Sequence, residues 1–353
     1  MTRHAVYVNA IGTATPVNEV HGLFASYVPR LIQSDRERRL FDRMVQRCGI
    51  EQRYSVLAPG GSGQLDDAGL YRHGAFADTA ARMRVYQERA ADLAFEAAID
   101  LGDELNNGVT HLLLVSCTGF AAPGVDLELI DRLALSRGIE RTVVGFMGCH
   151  AAINALRLAG HIVRSEPQAR VLVVCLELCT LHLQETSNLE QLLAFLIFAD
   201  GCAAALVTRE PRGLALGAST TAIAPEAADQ ITWHIGSSGF DMTLSGSVPS
   251  TLGAVLPARI RSILQGRQPG EIVHWAVHPG GRSVLDAVQH ALDLDPQALA
   301  TSRDVLRRYG NMSSATVLFV LKAMLEGGVG GAGCAMAFGP GLALESVLFE
   351  ALG

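Results

Sequence analysis

Short apolar runs alternate with amphipathic stretches along most of the chain. The apolar runs are rich in valine, leucine and isoleucine, a composition typical of strands that are buried on both faces. The predicted strands cover residues 5–11, 111–116, 143–147, 170–176, 202–207, 214–219, 272–277, 334–338 and 346–349. The spacing of apolar residues predicts helices over 28–47, 82–101, 151–160, 255–266, 283–292 and 316–325, with another ending near residue 137.

This alternation of buried strands and helices predicts an α/β protein whose sheets are covered on both faces. The sequence EPRG at 210–213 is the boundary that we predict between two halves. The N-terminal half is then 1–211 and the C-terminal half 212–353. In the second half, Pro257 falls in the first turn of its predicted helix, where proline is tolerated.

The composition indicates a globular protein with much buried area. The chain has 353 residues, of which 49% are hydrophobic and 18% charged. No continuous apolar run reaches the roughly 18 residues that a membrane-spanning helix needs. The N-terminal residues lack the apolar core of a signal peptide, so we expect a cytoplasmic location. The net charge of −7 argues against a general nucleic-acid binder.

The cysteine pattern points to reduced thiols. There are seven cysteines, an odd number, and no Cys-x-x-Cys pair. Neither a zinc site nor a disulfide framework is expected from this pattern.

The stretch 143–160, VVGFMGCHAAINALRLAG, joins a predicted strand to a predicted helix through a glycine and a cysteine. Gly148 allows a tight turn. Cys149 then lies at the N-terminus of a predicted helix that, apart from Arg157, is apolar on nearly all faces. Such a helix is expected to be buried inside a large core. Unpaired N–H groups and the helix dipole favour an anion there and lower a thiol pKa. Cys149 is therefore either a nucleophile or one more buried cysteine.

A histidine and an asparagine occupy comparable positions later in the chain. His278 ends a predicted buried strand, before a Pro-Gly-Gly turn and a helix with Ser283 as its candidate N-cap. The carboxyl ends of strands are where α/β sites usually form. Asn311 lies in a Gly-Asn turn before another helix, with Ser313 and Ser314 as candidate caps. Taken singly, His278 can equally be a satisfied core residue and Asn311 a turn residue.

Together, these three side chains supply complementary chemistry. A thiol nucleophile needs a partner that holds its proton or stabilises the thiolate. An enolate or tetrahedral oxyanion needs neutral or cationic donors aimed at the developing charge. Cys149, His278 and Asn311 can fill these roles.

Five stretches make the chain resemble the type III polyketide synthases, the chalcone-synthase-like branch of the thiolase superfamily. They are GFMGCHAA around Cys149, HPGGRSVLD from His278, YGNMSSATVLFVL around Asn311, FADGCAAALV from Phe198, and the closing AFGPGLALE. They occur in the family's order, at roughly its spacing, and in both halves. The related initiating β-ketoacyl carrier-protein synthases share Cys-His-Asn but usually carry His-Gln-Ala-Asn where this chain has HPGG.

The resemblance implies a thiolase-like α/β fold of five layers, αβαβα, from two similar halves, and a homodimer. Ala122 would lie on a loop that reaches the neighbouring subunit's cavity. In the implied reaction an acyl-CoA starter is loaded onto Cys149 and malonyl-CoA loses CO2. Its enolate, held by His278 and Asn311, extends the chain by Claisen condensation. Repetition and cyclisation would give a pyrone or a resorcinol- or phloroglucinol-type product, without any metal or bound cofactor.

One basic helix face is a candidate for binding the coenzyme A carrier. Arg39, Arg43 and Arg47 recur every fourth residue, which places them on one face of a predicted helix. This face is either solvated or a phosphate-binding stripe. In the resemblance, Arg43 and Arg47 match basic residues that contact coenzyme A phosphates, and the third such position is Leu40.

The resemblance also assigns a substrate pocket that departs from the plant enzymes. Phe198 matches the first gatekeeper phenylalanine, and the second gatekeeper position is Met242, a flexible side chain. The other implied substrate-binding residues are Cys117, His182, Trp233 and Ser313. Trp233 would shrink the usual plant pocket, while Cys117 could open another route. This pattern is closer to bacterial alkylpyrone and alkylresorcinol formers, so we expect an aliphatic acyl-CoA starter.

Two other functions remain open at this point. The first is an initiating β-ketoacyl carrier-protein synthase, which makes one condensation on an acyl carrier protein. The second is a cysteine hydrolase that releases free acid from acyl-CoA. Use of malonyl carrier protein would indicate the first, and acid release without malonyl decarboxylation would indicate the second.

Overall fold

The computed structural model describes residues 5–61 and 64–353. The strands are β1 (Tyr7–Ala14), β2 (Asn18–Glu19), β3 (Tyr54–Ser55), β4 (Tyr71–Arg72), β5 (Ala75–Phe76), β6 (His111–Ser116), β7 (Glu140–Gly145), β8 (Val171–Leu178), β9 (Asp200–Thr208), β10 (Leu214–Ala222), β11 (Ile231–Gly236), β12 (Gly239–Leu244), β13 (His274–Val277), β14 (Gly331–Gly339) and β15 (Ala343–Ala351). The α-helices are α1 (His21–Tyr27), α2 (Asp35–Arg47), α3 (Thr79–Ile99), α4 (Val125–Arg132), α5 (Ala151–Ser165), α6 (Leu189–Ile197), α7 (Val248–Ile263), α8 (Arg282–Ala291), α9 (Ala300–Tyr309) and α10 (Thr316–Glu326).

Nine strands form one mixed sheet in the order β13-β14-β15-β10-β1-β9-β8-β6-β7. Its two parts meet where β1 pairs with β10 at only two positions, Tyr7 with Ala215 and Val8 with Leu214. In the first part, β7, β6 and β8 run parallel and β9 is antiparallel to β8. In the second part, β14 is parallel to β13 and antiparallel to β15.

Helices α5 and α10 lie between the two parts of the sheet. Helix α5 contacts β6, β8 and β9 as well as β14 and β15, and α10 contacts β1 and β9 as well as β13 and β14. Helix α3 covers the other face of the first part, and α7 packs on β10 and β15 of the second. The result is the five-layered αβαβα arrangement of a thiolase-like fold, which confirms the predicted fold class.

The alternation of side chains along β6 shows how the layers are held together. Leu112 and Leu114 belong to the core that contains the alanines of α3, whereas Leu113 and Val115 belong to the core that contains α5 and α10. Successive residues of a strand point to opposite faces, so a run without polar residues is buried on both sides. The apolar run at 111–116, predicted as a buried strand, is therefore explained by burial of both faces of β6.

The turn before α5 depends on a glycine, as predicted. Gly148 has a φ of +80°, a conformation that L side chains rarely adopt. A Cβ at this position would also collide with the ring of Pro340. This close approach brings the loop after β14 against the residue that precedes Cys149.

Several predicted boundaries are wrong because local capping decides them. Residues 28–47 are not one helix, since a short turn at Val28–Arg30 precedes α2. Ser34 caps α2 by accepting the N–H of Glu37 at 3.4 Å. Pro257 lies inside α7 and not in its first turn, because that helix already begins at Val248.

Two further capping and boundary predictions fail. Ser283 does not cap α8, because Gly281 takes the N-cap position without a side-chain bond. Helix α4 ends at Arg132, well before the predicted end near residue 137.

Residues 143–147, predicted as a buried strand or a strand end, contain the end of β7 at Gly145, but the strand is not buried. Strand β7 pairs only with β6 and forms one end of the sheet, so Val143 is 49% exposed. Neither the hairpin of β11 and β12 nor helix α9 was predicted from the sequence.

No helix among the described residues combines the length and apolarity needed to cross a membrane.

Candidate active site

Cys149, Asn311 and Ser313 meet where the two parts of the molecule join. Cys149 follows the Gly148 turn ahead of α5 and is buried, with 8% of its surface exposed. Ser313 lines the same space as the Cys149 thiol, and the side chains of Ser313 and Asn311 lie close enough to favour its ionised form. Ser313 has a φ of +47°, an uncommon backbone conformation for a residue with a side chain. Cys149 and Asn311 are therefore close in space although more than 160 positions separate them in the chain.

The backbone around Asn311 fixes the orientation of its amide. The Asn311 N–H donates to the carbonyl of Ile197 at 2.8 Å, and the Ala199 N–H donates to the carbonyl of Asn311 at 2.9 Å. The side-chain Oδ1 accepts the Ser313 N–H at 2.9 Å, so Nδ2 points the other way. Nδ2 has one long bond, 3.4 Å to the carbonyl of Gly280. It remains available as a donor near the thiol.

His278 lies at the end of β13, on the turn that Asn311 contacts. Its N–H donates to the Met336 carbonyl at 2.8 Å, and its own carbonyl accepts the Gly280 N–H at 2.9 Å. Neither ring nitrogen has a hydrogen-bond partner among the described residues. Burial, with a smaller contribution from the nearby His150, lowers the pKa of His278 to about 3. The imidazole is neutral at physiological pH and has a free acceptor and a free donor.

The electrostatics of Cys149 contradict the lowered pKa that its position before a helix predicts. Burial raises the pKa of the Cys149 thiol to about 12, and the polar side chains of Ser313 and Asn311 oppose this only in part. Desolvation disfavours a charged group more strongly than a helix terminus favours it. Ionisation of the thiol therefore requires a neighbouring base that takes its proton.

Cys149 opens onto a small apolar chamber. Six of the predicted site residues line it, namely Cys117, Cys149, Phe198, Trp233, Met242 and Ser313. The chamber is also lined by Thr118, Cys179, Ile231 and Pro340, which were not predicted from the sequence. Cys179 directly follows the buried strand β8, and this position at a carboxyl strand end could have drawn attention to it.

His182 does not line this chamber, contrary to the prediction, and lies behind Trp233. Its Nδ1 accepts the Phe240 N–H at 3.1 Å and its Nε2 donates to the Thr118 carbonyl at 2.7 Å. Burial lowers the pKa of His182 to about 3, in keeping with this neutral tautomer. The ring stacks on Phe240 with centroids 4.1 Å apart and meets the edge of Trp233 at 5.4 Å.

Trp233 is consequently held in one position. Its indole N–H donates to the Cys117 carbonyl at 2.8 Å. Its ring also meets Phe240 edge-on at 5.8 Å. The side chain is a fixed wall of the chamber, whereas Met242 opposite it in the β11–β12 hairpin is flexible.

Glu177 is a buried carboxyl near the thiol that the sequence analysis did not identify. Its oxygens accept the Cys117 N–H and the Thr118 hydroxyl, each at 3.0 Å, and the Ser314 hydroxyl. Burial raises the pKa of Glu177 to about 7. Ser314, predicted as a helix cap, instead donates its hydroxyl hydrogen to Glu177.

A wide groove lies between helix α2 and the turn that follows His278. It is lined by Leu40, Arg43 and Arg47 on one side. Gly280 and Gly281, which follow His278, line the other side. The predicted basic residues Arg43 and Arg47 thus line the same groove as the turn that follows His278.

A second, small apolar cavity adjoins the chamber. Cys179 and Phe198 line both spaces and form the wall between them. The remaining lining is largely aliphatic and aromatic, including Leu23, Leu57, Leu65, Leu183 and Phe195.

A thiolase-like fold with a buried thiol, and with a carboxamide that contacts the turn after a buried histidine, is that of the acyl-condensing enzymes. Comparison with known proteins identifies the family within this class. Residues 2–211 match the N-terminal domain of the chalcone and stilbene synthases, and residues 215–353 match the C-terminal domain. The chain belongs to this family, the type III polyketide synthases, and is an enzyme of the acyltransferase type.

Individual relatives agree with this assignment. The chain is 30% identical to an alpha-pyrone synthesis polyketide synthase-like protein, Pks18 of Mycobacterium tuberculosis, covering 97% of this chain and 90% of the relative. The crystal structure of PKS-I from the brown alga Ectocarpus siliculosus superimposes with a TM-score of 0.90 at 28% identity, covering 99% and 98% of the two chains. The C-terminal type III polyketide synthase domain of Steely1 from Dictyostelium gives 0.88 at 26% identity, covering 99% and 100%.

Proposed function

We propose that this polyketide synthase loads an aliphatic acyl-CoA onto Cys149, extends it with malonyl-CoA and cyclises the product to a pyrone or resorcinol-type compound. The observation that carries the proposal is that the buried Cys149 thiol shares one chamber with Ser313, whose N–H orients the Asn311 amide at 2.9 Å. The similarity to a protein named for alpha-pyrone synthesis supports the product class. The proposed cycle uses no metal or bound cofactor.

In the loading step, His278 takes the proton of the Cys149 thiol. The thiolate attacks the thioester carbonyl of the starter, and the coenzyme A thiolate leaves with the proton from the imidazolium. His278 is proposed for this role because its ring nitrogens have no partner among the described residues. Attraction between the imidazolium and the thiolate offsets the burial that disfavours each charge alone. A thiol that is neutral at rest needs such a base.

In the extension step, malonyl-CoA loses CO2 and leaves an enolate. The Nδ2 donor of Asn311 and an N–H of His278 hold the enolate oxygen. The enolate carbon then attacks the acyl group on Cys149, and the thiolate is released as the chain passes to coenzyme A. The apolar ring of Phe198 beside Asn311 disfavours the malonyl carboxylate and favours its loss as neutral CO2.

The outer groove is the proposed site of coenzyme A. Arg43 and Arg47 can contact its phosphates, since guanidinium groups bind phosphate through paired N–H donors. The pantetheine arm would then run past Gly281 and Gly280 to His278. We also propose a cytoplasmic location, because all seven cysteines carry free, buried thiols.

The starter class follows from the walls of the two cavities. Trp233 is fixed by its bond to Cys117 and closes one side of the chamber to a broad aromatic starter. The second cavity, behind Cys179 and Phe198, offers an apolar space for an alkyl chain. Each buried methylene contributes about 0.8 kcal/mol to binding, so a fitting alkyl tail gains substantially.

A panel of acyl-CoA starters with malonyl-CoA tests this proposal. We expect kcat/KM for straight-chain acyl-CoAs to exceed that for coumaroyl-CoA by at least about tenfold, or about 1.4 kcal/mol. Mass spectrometry of the products measures chain length and the number of extensions. Leu65→Phe, which fills part of the second cavity, is expected to shift the preference to shorter chains.

A matched variant separates the chamber wall from the strand that carries it. Trp233→Gly is expected to raise the relative use of coumaroyl-CoA, whereas Ile235→Ala, an exposed position on the same strand, leaves the preference unchanged. Efficient turnover of aromatic starters alone by the unmodified protein would contradict the aliphatic assignment.

We further propose a homodimer formed through the free edge of β7. This strand has one paired and one unpaired side, and unpaired edges template pairing with another strand. Phe120, Val143 and Met147 are exposed around it at 40%, 49% and 36%. A second copy would cover these side chains and bring the loop with Ala122 to its partner.

Val143→Asp is expected to lower the dimer fraction, because a charge on the edge strand opposes strand pairing. Light scattering after size-exclusion chromatography measures the mass. Val329→Asp, at an exposed valine after α10, is the control and is expected to remain dimeric. A monomeric mass for the unmodified protein, or an unchanged dimer in Val143→Asp, argues against this interface.

A further inference from the structure

A cluster of one histidine and two glutamates lies at the sheet edge opposite the active site. His111 begins β6, Glu140 begins β7, and Glu166 caps the carboxyl end of α5. Because β6 and β7 are parallel and His111 is in register with Glu140, their side chains share one face. Helix α5 starts beside Cys149 at one edge of the sheet and ends with Glu166 at the other. The mechanism uses none of these residues.

The three side chains converge on one point. The Nε2 atom of His111 lies 3.5 Å from a Glu140 carboxylate oxygen and 3.7 Å from a Glu166 oxygen. All three ligand atoms lie within 4.8 Å of one another. Tetrahedral ligands around zinc, at bond lengths of roughly 2.0 to 2.2 Å, are about 3.3 to 3.6 Å apart. The histidine-to-carboxylate distances are close to this separation.

The histidine is buried and held in place, whereas the carboxylates can adjust. The His111 side chain is 7% exposed, and the two carboxylates are 73% and 55% exposed. The His111 Nδ1 lies 2.8 Å from the Thr110 hydroxyl, which also lies 3.3 Å from the Arg170 carbonyl. When that hydroxyl donates to the carbonyl, Nδ1–H donates to it and the Nε2 lone pair faces the carboxylates. Metal-binding histidines have this arrangement.

The charges of the cluster call for a cation. Two carboxylates face one imidazole, and no arginine or lysine among the described residues forms an ion pair with either glutamate. The guanidinium of the neighbouring Arg170 is directed to Glu104 and Glu210 instead. An imidazole nitrogen with two carboxylate oxygens suits zinc and other first-row divalent ions, whereas magnesium and calcium prefer oxygen ligands alone.

We propose that His111, Glu140 and Glu166 bind a divalent transition-metal ion, with zinc as the reference ion. The ion joins the start of the edge strand β7 to β6 and to the end of α5, so its role is structural. It stabilises the folded chain according to its occupancy, because the unfolded chain lacks the site. This inference is independent of the proposed starter and product.

Calorimetric titration of the intact protein with Zn2+ alone tests the site. We expect one ion per chain in the unmodified protein, and binding at least about tenfold weaker in His111→Asn, Glu140→Gln and Glu166→Gln. The exposed glutamates can be changed without disturbing the core, so the test does not depend on the folding of the histidine variant. Zn2+ should raise the melting temperature of the unmodified protein more than that of Glu140→Gln.

Two controls separate this cluster from other zinc ligands. His73→Asn removes an exposed histidine that faces a single carboxylate, Glu185 at 3.1 Å, and should bind Zn2+ like the unmodified protein. Cys149→Ala should also retain the site. Absence of Zn2+ binding, or binding that survives all three cluster substitutions, would overturn the proposal.

Discussion

Cys149→Ala is expected to abolish acyl loading and to lower polyketide formation by at least about a thousandfold. The sulfur is the only atom at this position that can form the acyl thioester, and Asn311 and Ser313 are arranged around it. Intact-protein mass spectrometry after incubation with a starter acyl-CoA measures the loading directly. The unmodified protein should gain the mass of one acyl group and the variant none.

The chamber itself supplies the controls for this experiment. Cys117 and Cys179 line the same space as Cys149 and are equally buried thiols. Cys117→Ala and Cys179→Ala should each still gain one acyl group, even where the preferred starter changes. Acyl transfer to the Cys149→Ala protein, or its loss in Cys179→Ala alone, would assign the nucleophile to a different sulfur.

Asn311→Ala is expected to separate decarboxylation from loading. Removal of one donor to a developing oxyanion typically costs about a hundredfold to a thousandfold in rate. The Nδ2 of Asn311 faces the reaction space because its Oδ1 is engaged by the Ser313 N–H. Release of CO2 from malonyl-CoA should fall by that factor, while acyl loading of Cys149 stays within about tenfold.

Two further variants sharpen this test. Asn311→Asp keeps the oxygen that accepts the Ser313 N–H but places a negative charge against the enolate, so it should decarboxylate more slowly than Asn311→Ala. Asn106→Ala, at an exposed asparagine, is the matched control and should match the unmodified protein. Decarboxylation that persists within about tenfold in Asn311→Ala would place the enolate donor elsewhere.

The elements that the sequence predicts well are those with strong local patterns. Strand β6 begins and ends where its apolar run does, and the helix after Asn311 begins at Thr316 as predicted. Neighbouring residues determine such features, since periodicity and turn chemistry act over a few positions. Helix α2 was predicted too long because its start depends on one capping serine, Ser34.

The candidate chemistry could also be read from the chain to a large extent. Cys149, His278 and Asn311 lie in short, ordered motifs, and the family that these motifs indicate is confirmed by both matched domains. Six predicted residues line one chamber.

His182 shows what the sequence does not reveal. Its position in the resemblance suggests a pocket wall, yet it is fully buried behind Trp233 and holds that ring in place. Whether a side chain lines a cavity or supports the next layer depends on residues that are distant in sequence. A pattern along one strand or loop contains no such information.

The sequence by itself determined the fold class, the order of the main strands and helices, and the three side chains that carry the proposed chemistry, because these depend on local spacing. Only the tertiary structure decided the ionisation of Cys149 and His278, the second apolar cavity, the exposed edge of β7 and the cluster at His111. Burial and desolvation act through atoms brought together from separate parts of the chain. The burial that sets the pKa values of Cys149 and His278 is reached only when the two parts of the sheet pack against α5 and α10.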